Sequence, residues 1–283
     1  MLATLLCCGA AAGAGVKVVY PADEAAGGTR FNDLIELLQQ ALEKTAAEYG
    51  PFELRASHAG MTEARYLAEL KSPGREINIA WTSTSKAKER ELLPLRIPLR
   101  KGLLGYRIAL IAQDKQALVD QVDTIEDLRK LTFGQGLGWG DTELYEANGI
   151  HVSKARYENL FAMTALGRVD IFPRGISEIF VEHQSHVAAN PTLAIEKNLL
   201  IYYPWPYYFF FNRQDAALKA RVESGLRTML TDGSFDLLFR KYHGLAIEQA
   251  ELSRRRVIRI DNDMLPPETP LNDPSLWFDP SRY

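Results

Sequence analysis

Val16-Lys17-Val18-Val19-Tyr20-Pro21 opens a stretch in which short β-rich runs alternate with helical ones, and this alternation decides the fold class. After Gly27-Gly28, the residues Phe31, Leu34, Ile35, Leu38, Leu42 and Ala46 recur at the spacing of one helix face, up to Tyr49. Phe52-Glu53-Leu54-Arg55-Ala56 alternates as a strand does. Met61 to Lys71 is again amphipathic, the breaker Ser72-Pro73-Gly74 stops it, and Ile77-Asn78-Ile79-Ala80-Trp81 reads as a third strand. Two strand-helix-strand units in succession predict an α/β body with a parallel sheet covered by helices, in which ligands gather at the carboxyl ends of the strands.

Beyond this stretch, Gly105 to Ala112 is a further strand and Asp114 to Asp123 a polar connection. A second α/β unit then begins. Thr124 to Arg129 is a short capped helix, Leu131 to Gly134 a strand, and Gly136 to Glu143 a glycine-rich turn into the helix Leu144 to Asn148. The pattern continues through the helix Tyr157 to Leu166, the strand Val169 to Phe172, the helix Ile176 to His183 and the strand Leu199 to Tyr203. After Tyr207 to Asn212 come a helix over Ala216 to Leu230, a turn at Asp232-Gly233 and a helix over Phe235 to Tyr242. Leu218, Val222, Leu226 and Leu230 line one helix face, which suits docking on a core already formed. The stretch from Ile260 to Tyr283 is rich in Pro, Asp and Asn and is expected to wrap over the surface without regular structure.

With 283 residues, 46% of them apolar, the chain is long enough to bury sizeable cores, which argues against disorder. A net charge of -3 gives no broad cationic surface, so a nucleic-acid partner is not expected. Residues 1–15 are uncharged and apolar, end in small residues such as Ala12-Gly13-Ala14, and read as the remnant of a signal peptide; the alternative is a buried N-terminal element. Cys7 and Cys8 are the only cysteines and lie inside that segment, so a mature chain would hold neither disulfide nor thiol nucleophile; a lipid anchor on one of them is the other reading. No later apolar run reaches the roughly 20 residues that span a bilayer.

Several phrases resemble the family 3 extracellular solute-binding proteins, the polar amino-acid-binding type of ABC transporters, over roughly residues 16 to 245. Ala80-Trp-Thr-Ser-Thr-Ser-Lys-Ala-Lys-Glu-Arg90 is similar to a Thr-x-Thr-x-x-Arg segment, with about two extra residues before Arg90. Asp127-Leu128 with Phe133-Gly-Gln-Gly-Leu-Gly138, Leu166-Gly-Arg-Val-Asp170, and Met229-Leu-Thr-Asp-Gly-Ser-Phe235 with Arg240-Lys-Tyr242 follow the family's later phrases in order. The resemblance implies the periplasmic binding protein type II fold: two α/β lobes with a ligand cleft between them, joined by two crossover strands. It places lobe 1 at 16–112 and 204–283 and lobe 2 at 113–203. It implies a periplasmic, monomeric protein that captures a small polar solute, anionic or amino-acid-like, for an ABC-type transporter. A sensor with the same fold and no transport duty is the alternative, so the partner is a small molecule and a membrane permease or sensor. One departure bears on the ligand. Where family members that bind an α-amino group commonly place an Asp, this chain reads Phe172-Pro-Arg-Gly-Ile-Ser177, a cation for an anion, which favours an anionic ligand.

Each candidate residue has a plainer alternative. The resemblance gives Arg90 the task of gripping a carboxylate; the alternative is a surface ion pair with Glu89 or Glu91. Trp81, Thr82 and Ser83 sit at a strand's carboxyl end and can offer an aromatic wall and hydroxyls, unless Trp81 is core. Gly138, Trp139, Asp141 and Thr142 open a helix whose amides can hold an anionic group, unless Asp141 or Thr142 is only an N-cap. Arg174 is the favoured contact from the second lobe; its alternative is a salt bridge to Glu178, one turn on. Tyr208, with Tyr207, lines the cleft or lies in a buried strand. The glycines match neither phosphate-loop nor dinucleotide spacing, and His183 and His186 fall short of a zinc motif. No nucleophile elbow or cysteine nucleophile appears. The expectation is a binding protein without catalytic residues, cofactor or metal.

Overall fold

The computed structural model describes residues 15–23 and 28–282. The signal-peptide reading, with Cys7 and Cys8, falls on residues outside these. The strands, in chain order, are β1 (Val16–Ala22), β2 (Phe52–Gly60), β3 (Ala80–Ser83), β4 (Leu93–Leu95), β5 (Tyr106–Ala112), β6 (Thr132–Gly136), β7 (His151–Ala155), β8 (Phe172–Gly175), β9 (Leu193–Ile195), β10 (Leu199–Tyr202), β11 (Tyr207–Phe211) and β12 (Arg256–Arg259). The helices are α1 (Asn32–Lys44), α2 (Ala46–Tyr49), α3 (Glu63–Lys71), α4 (Lys86–Glu91), α5 (Gln116–Val119), α6 (Ile125–Leu128), α7 (Asp141–Ala147), α8 (Tyr157–Ala165), α9 (Ile179–His186), α10 (Ala216–Asp232) and α11 (Ser234–Ala250). The described chain falls into two compact units, one from the residues up to Ala80 with Phe210–Asp236, the other from Trp81–Phe209 with Leu237–Tyr283.

In the first unit β1 and β2 pair in parallel, Val16 opposite Phe52, as the strand-helix-strand pattern predicts. The third expected strand behaves differently. Ile77 to Ile79 stays out of regular pairing because the Asn78 carboxamide takes over part of the ladder, accepting from the Val19 amide at 2.9 Å and donating to the Lys17 carbonyl at 2.7 Å. Regular pairing resumes only at Ala80. The helix expected over Phe31 to Tyr49 breaks at Thr45, whose hydroxyl donates to the carbonyls of Ala41 and Leu42 and so closes α1 locally. Buried Arg221 of α10 then holds the far end, donating to the Gly50 carbonyl at 2.7 Å.

The second unit is organised on β5. It lies in a sheet of order β12-β10-β5-β8, antiparallel to β10 and β8, while β9 also pairs with it and β10 runs parallel to β12. Successive side chains of a strand point to opposite faces. Ile108 and Leu110 join a core with Leu160, Phe161, Phe172 and Phe239; Ala109 and Ile111 join another with Val119, Leu128, Phe133 and Leu144. Burial on both faces explains why Tyr106 to Ala112 reads as one apolar run, and it puts Arg107 on the same side as Ala109.

Parallel pairing returns at β6 and β7, which α7 connects, with Phe133 opposite Val152. Thr124 caps α6 through a capping box with Asp127, as its spacing suggests. Helix α9 starts at Ile179 where Ile176 was expected, because β8 continues to Gly175 and Gly175 to Glu178 form a turn. β12, which no sequence signal marked, is made by the Arg256 amide meeting the Asn198 carbonyl and the Ile260 amide meeting that of Tyr202. From Ile260 onward the described residues form only short 3-10 turns, and the tail is tied down by the Phe278 amide donating to the Lys101 carbonyl.

Candidate functional site

All ten candidate residues lie in the second unit. Trp81 is buried and meets Phe209 edge-on at 6.4 Å, the core-like alternative for that residue. Thr82 is buried as well, and Ser83 is half-buried. Arg90 is exposed on α4, whereas Lys88, two residues earlier, places its ammonium 2.7 Å from the Thr82 hydroxyl and 2.9 Å from the Ser83 carbonyl. Glu89 faces the Thr84 hydroxyl and Arg96. Tyr208 is fully buried in β11, and burial pushes its phenol above the ordinary range.

The glycine-rich turn has the shape its composition demands. Gly138 has a φ of 78°, in the left-handed region where a side chain is strained. Helix α7 begins at Asp141 with Gly140 at the N-cap and no side-chain cap, so neither Asp141 nor Thr142 serves as one. The amides of Trp139 and Thr142 already donate to the carbonyls of Gly136 and Trp139. Asp141, buried in the first turn, brings a negative charge where an anion was expected.

That charge belongs to a buried network which the sequence showed only in pieces. Asp141 pairs with Arg107 at 3.2 Å and accepts from the Tyr203 hydroxyl at 3.0 Å, and the Tyr203 and Tyr145 hydroxyls share a hydrogen bond at 3.0 Å. Arg107 extends to Glu178 at 3.8 Å, which also meets Arg174 at 3.1 Å. Arg174 in turn donates through Nε and Nη2 to both oxygens of Glu182, each at 2.6 Å. Its guanidinium lies 4.6 Å from the Trp139 ring centroid, and the Tyr157 hydroxyl donates to Glu182 at 2.9 Å. The salt bridge to Glu178, the plainer reading of Arg174, is thus made, together with a stronger one to Glu182. Two guanidinium groups face three carboxylates here, so no surplus positive charge remains for an anion.

The residues that composition and spacing passed over are Lys88, Arg107, Gln135, Glu182 and Tyr203. Arg107 had a signal: it is the one charge in an otherwise apolar strand. Gln135 had none. It is fully buried on β6, and neither amide atom has a hydrogen-bond partner among the described residues. The histidine pair separates in space, His183 against the Leu193 carbonyl and His186 stacked on Phe161 with ring centroids 3.5 Å apart.

Burial pushes the Tyr145 and Tyr203 phenols above their ordinary value of 10.0, with Asp141 adding to the push; burial and then Glu182 do the same to Tyr157. They are therefore neutral hydrogen-bond donors and not bases at physiological pH. Because the folded values are the higher ones, the stability tied to these phenols is complete below the unfolded value near 10 and is lost as pH rises through the folded values. Ultraviolet titration is expected to show tyrosines that ionise only as the protein unfolds at alkaline pH. Reversible ionisation of all 12 near pH 10, with the fold intact, would contradict the network.

No protein-family model and no curated protein matches the chain. Solved structures do. A probable amino-acid ABC transporter extracellular-binding protein from Bacillus subtilis superposes with a TM-score of 0.59 at 16% identity, over 82% of this chain and 98% of that one. An amino acid ABC transporter substrate-binding protein from Streptococcus pneumoniae, bound to L-arginine, gives 0.53 at 13% identity, over 81% and 94%. An ancestral amino acid-binding protein described as a precursor of cyclohexadienyl dehydratase gives 0.54 at 15%, over 81% and 94%. The chain has the type II periplasmic binding protein fold, the class that its sequence resemblance implied. Among the described residues no helix is long and apolar enough to cross a membrane.

Proposed function

We propose that this chain is an exported solute-binding protein which captures a small polar solute by closing two lobes on it, 16–112 with 204–283 and 113–203, and presents it to an ABC-type importer. The observation that carries the reading is the likeness of fold to amino-acid ABC transporter binding proteins over more than four-fifths of the chain. Closure on a ligand needs contacts that differ between the open and closed states, and the Thr82–Ser83–Lys88 group and the Asp141–Thr142 turn are the residues we assign to them. The neutralised arginines favour an amino-acid-like solute over an anionic one. We assign the protein no reaction.

Calorimetric titration of the protein with a panel of amino acids, dicarboxylates and small peptides, joined to small-angle scattering of the best binder, tests this. A one-to-one complex that compacts the molecule supports it. A folded protein that binds no member of the panel and keeps its dimensions refutes it.

A further inference from the structure

We infer that Trp139, Tyr157, Phe172, Glu178 and Glu182 form a guanidinium-binding cage whose occupant is the chain's own Arg174, and that a free alkylguanidinium is the class of ligand this cage accepts once that side chain is removed. The inference goes beyond solute capture, since all its residues belong to one unit and the cage stands whether or not the protein serves a transporter.

The walls match the occupant group by group. A guanidinium is a planar fork, and Glu182 answers it with both carboxylate oxygens, 2.6 Å from Nε and 2.6 Å from Nη2. Glu178 approaches the same group at 3.1 Å. An electron-rich face attracts a cation, and the guanidinium carbon lies 4.6 Å from the Trp139 centroid, 5.3 Å from Phe172 and 5.8 Å from Tyr157. Trp139 and Phe172 are stacked, 22° from parallel, and Tyr157 steadies Glu182 with its hydroxyl, so the walls hold one another as well as the cation. Two carboxylates repel an anion, and an ammonium offers a point charge where the cage presents a bidentate acceptor.

Arg174 is also tethered. It sits on β8, where it pairs with Ile108 of β5, so its head group is held at the cage at a high effective concentration. A dissolved cation must outcompete it. In the native chain the side chain therefore acts as an internal stand-in that keeps the cage closed to dissolved cations.

Arg174→Ala removes everything beyond Cβ, and N-ethylguanidinium restores those atoms. Titrated by calorimetry, the folded variant is expected to bind N-ethylguanidinium one-to-one and at least about tenfold more tightly than the native protein does, the size of one well-placed charged hydrogen bond. Ethylammonium should bind the variant more weakly, acetate should not bind, and a further Glu182→Gln change should abolish the site. Equal affinity in native protein and variant, no binding to a folded variant, or binding that survives Glu182→Gln overturns the inference. A second readout needs no variant. In the native protein the Nε–H of Arg174 is expected to exchange slowly and to carry the ring-current shift of Trp139, and a fast-exchanging, unshifted signal overturns the cage even if Arg174→Ala does not fold. These outcomes are separate from the search for a metabolite, because a cage that binds N-ethylguanidinium says nothing of which solute the native protein carries.

Discussion

Replacing Arg107 with methionine is expected to lower stability by about 3–5 kcal/mol, the cost of removing one partner from a buried ion pair. Methionine keeps much of the aliphatic stem, so the packing of β5 changes little and the loss is electrostatic. Arg107 is 7% exposed and Asp141 6%, so neither charge can turn to solvent when its partner goes. Asp141 keeps the Tyr203 hydroxyl, a single neutral donor, in place of a cation. Glu178 keeps Arg174. Burial alone would lower the Arg107 pKa, yet Tyr203 and Asp141 hold it above its ordinary value, so the group is charged at every pH at which the protein folds. Urea unfolding should show an earlier midpoint with an unchanged slope, which separates lost stability from altered compactness. Arg107→Met combined with Asp141→Leu should recover most of the loss, because an apolar pair of similar volume leaves no charge uncompensated. A loss below about 1 kcal/mol in the single variant would put the pair in the class of solvent-screened surface bridges and remove the network as a buried unit.

How far the residues announced all this varies with the range of the interaction. Short-range chemistry was legible. The Thr124–Asp127 capping box, the apolar run of β5 and the left-handed Gly233 after α10 act within a few residues, and each stands where its spacing predicts. The third strand of the first unit was misplaced because the Asn78 side chain shares with its own main-chain amide the pairing to Val19, and alternation of apolar residues carries no trace of that. At the site the same distinction holds. Glu178 is four residues from Arg174 and its pairing was readable, whereas Glu182 lies eight residues on, within α9, at a spacing that a strand followed by a turn and a helix does not announce. Arg90 drew attention through a motif likeness, but the two extra residues before it fall within α4, and Lys88 is the side chain turned back toward Thr82. Gln135 could not have been found at all, since its burial depends on how β6 packs and not on its neighbours in sequence.

Gly225→Ala and Gly244→Ala are expected to change stability in opposite directions although both alter a glycine inside a long helix. An exposed helical glycine costs about 0.5–1 kcal/mol relative to alanine, because it loses more backbone freedom on folding. At Gly244 of α11 an added Cβ would meet nothing within 4 Å, so Gly244→Ala should stabilise by about that amount. At Gly225 of α10 the added carbon would stand 2.0 Å from the Ala41 carbonyl oxygen and 2.6 Å from its carbon. Those are backbone atoms of α1, and no side-chain rotation relieves the overlap. Helix α10 would have to move away from α1, prising apart two packed helices that both carry buried side chains, Leu38 and Leu42 on α1 and Val222 and Leu226 on α10. Overpacking costs about 1–3 kcal/mol and occasionally more, and contact with rigid backbone puts this site at the upper end, well beyond what alanine's helix propensity returns. Thermal unfolding of the two variants side by side checks the claim. If Gly225→Ala raises the midpoint as Gly244→Ala does, the close approach of α10 to α1 at Ala41 is not how this unit packs.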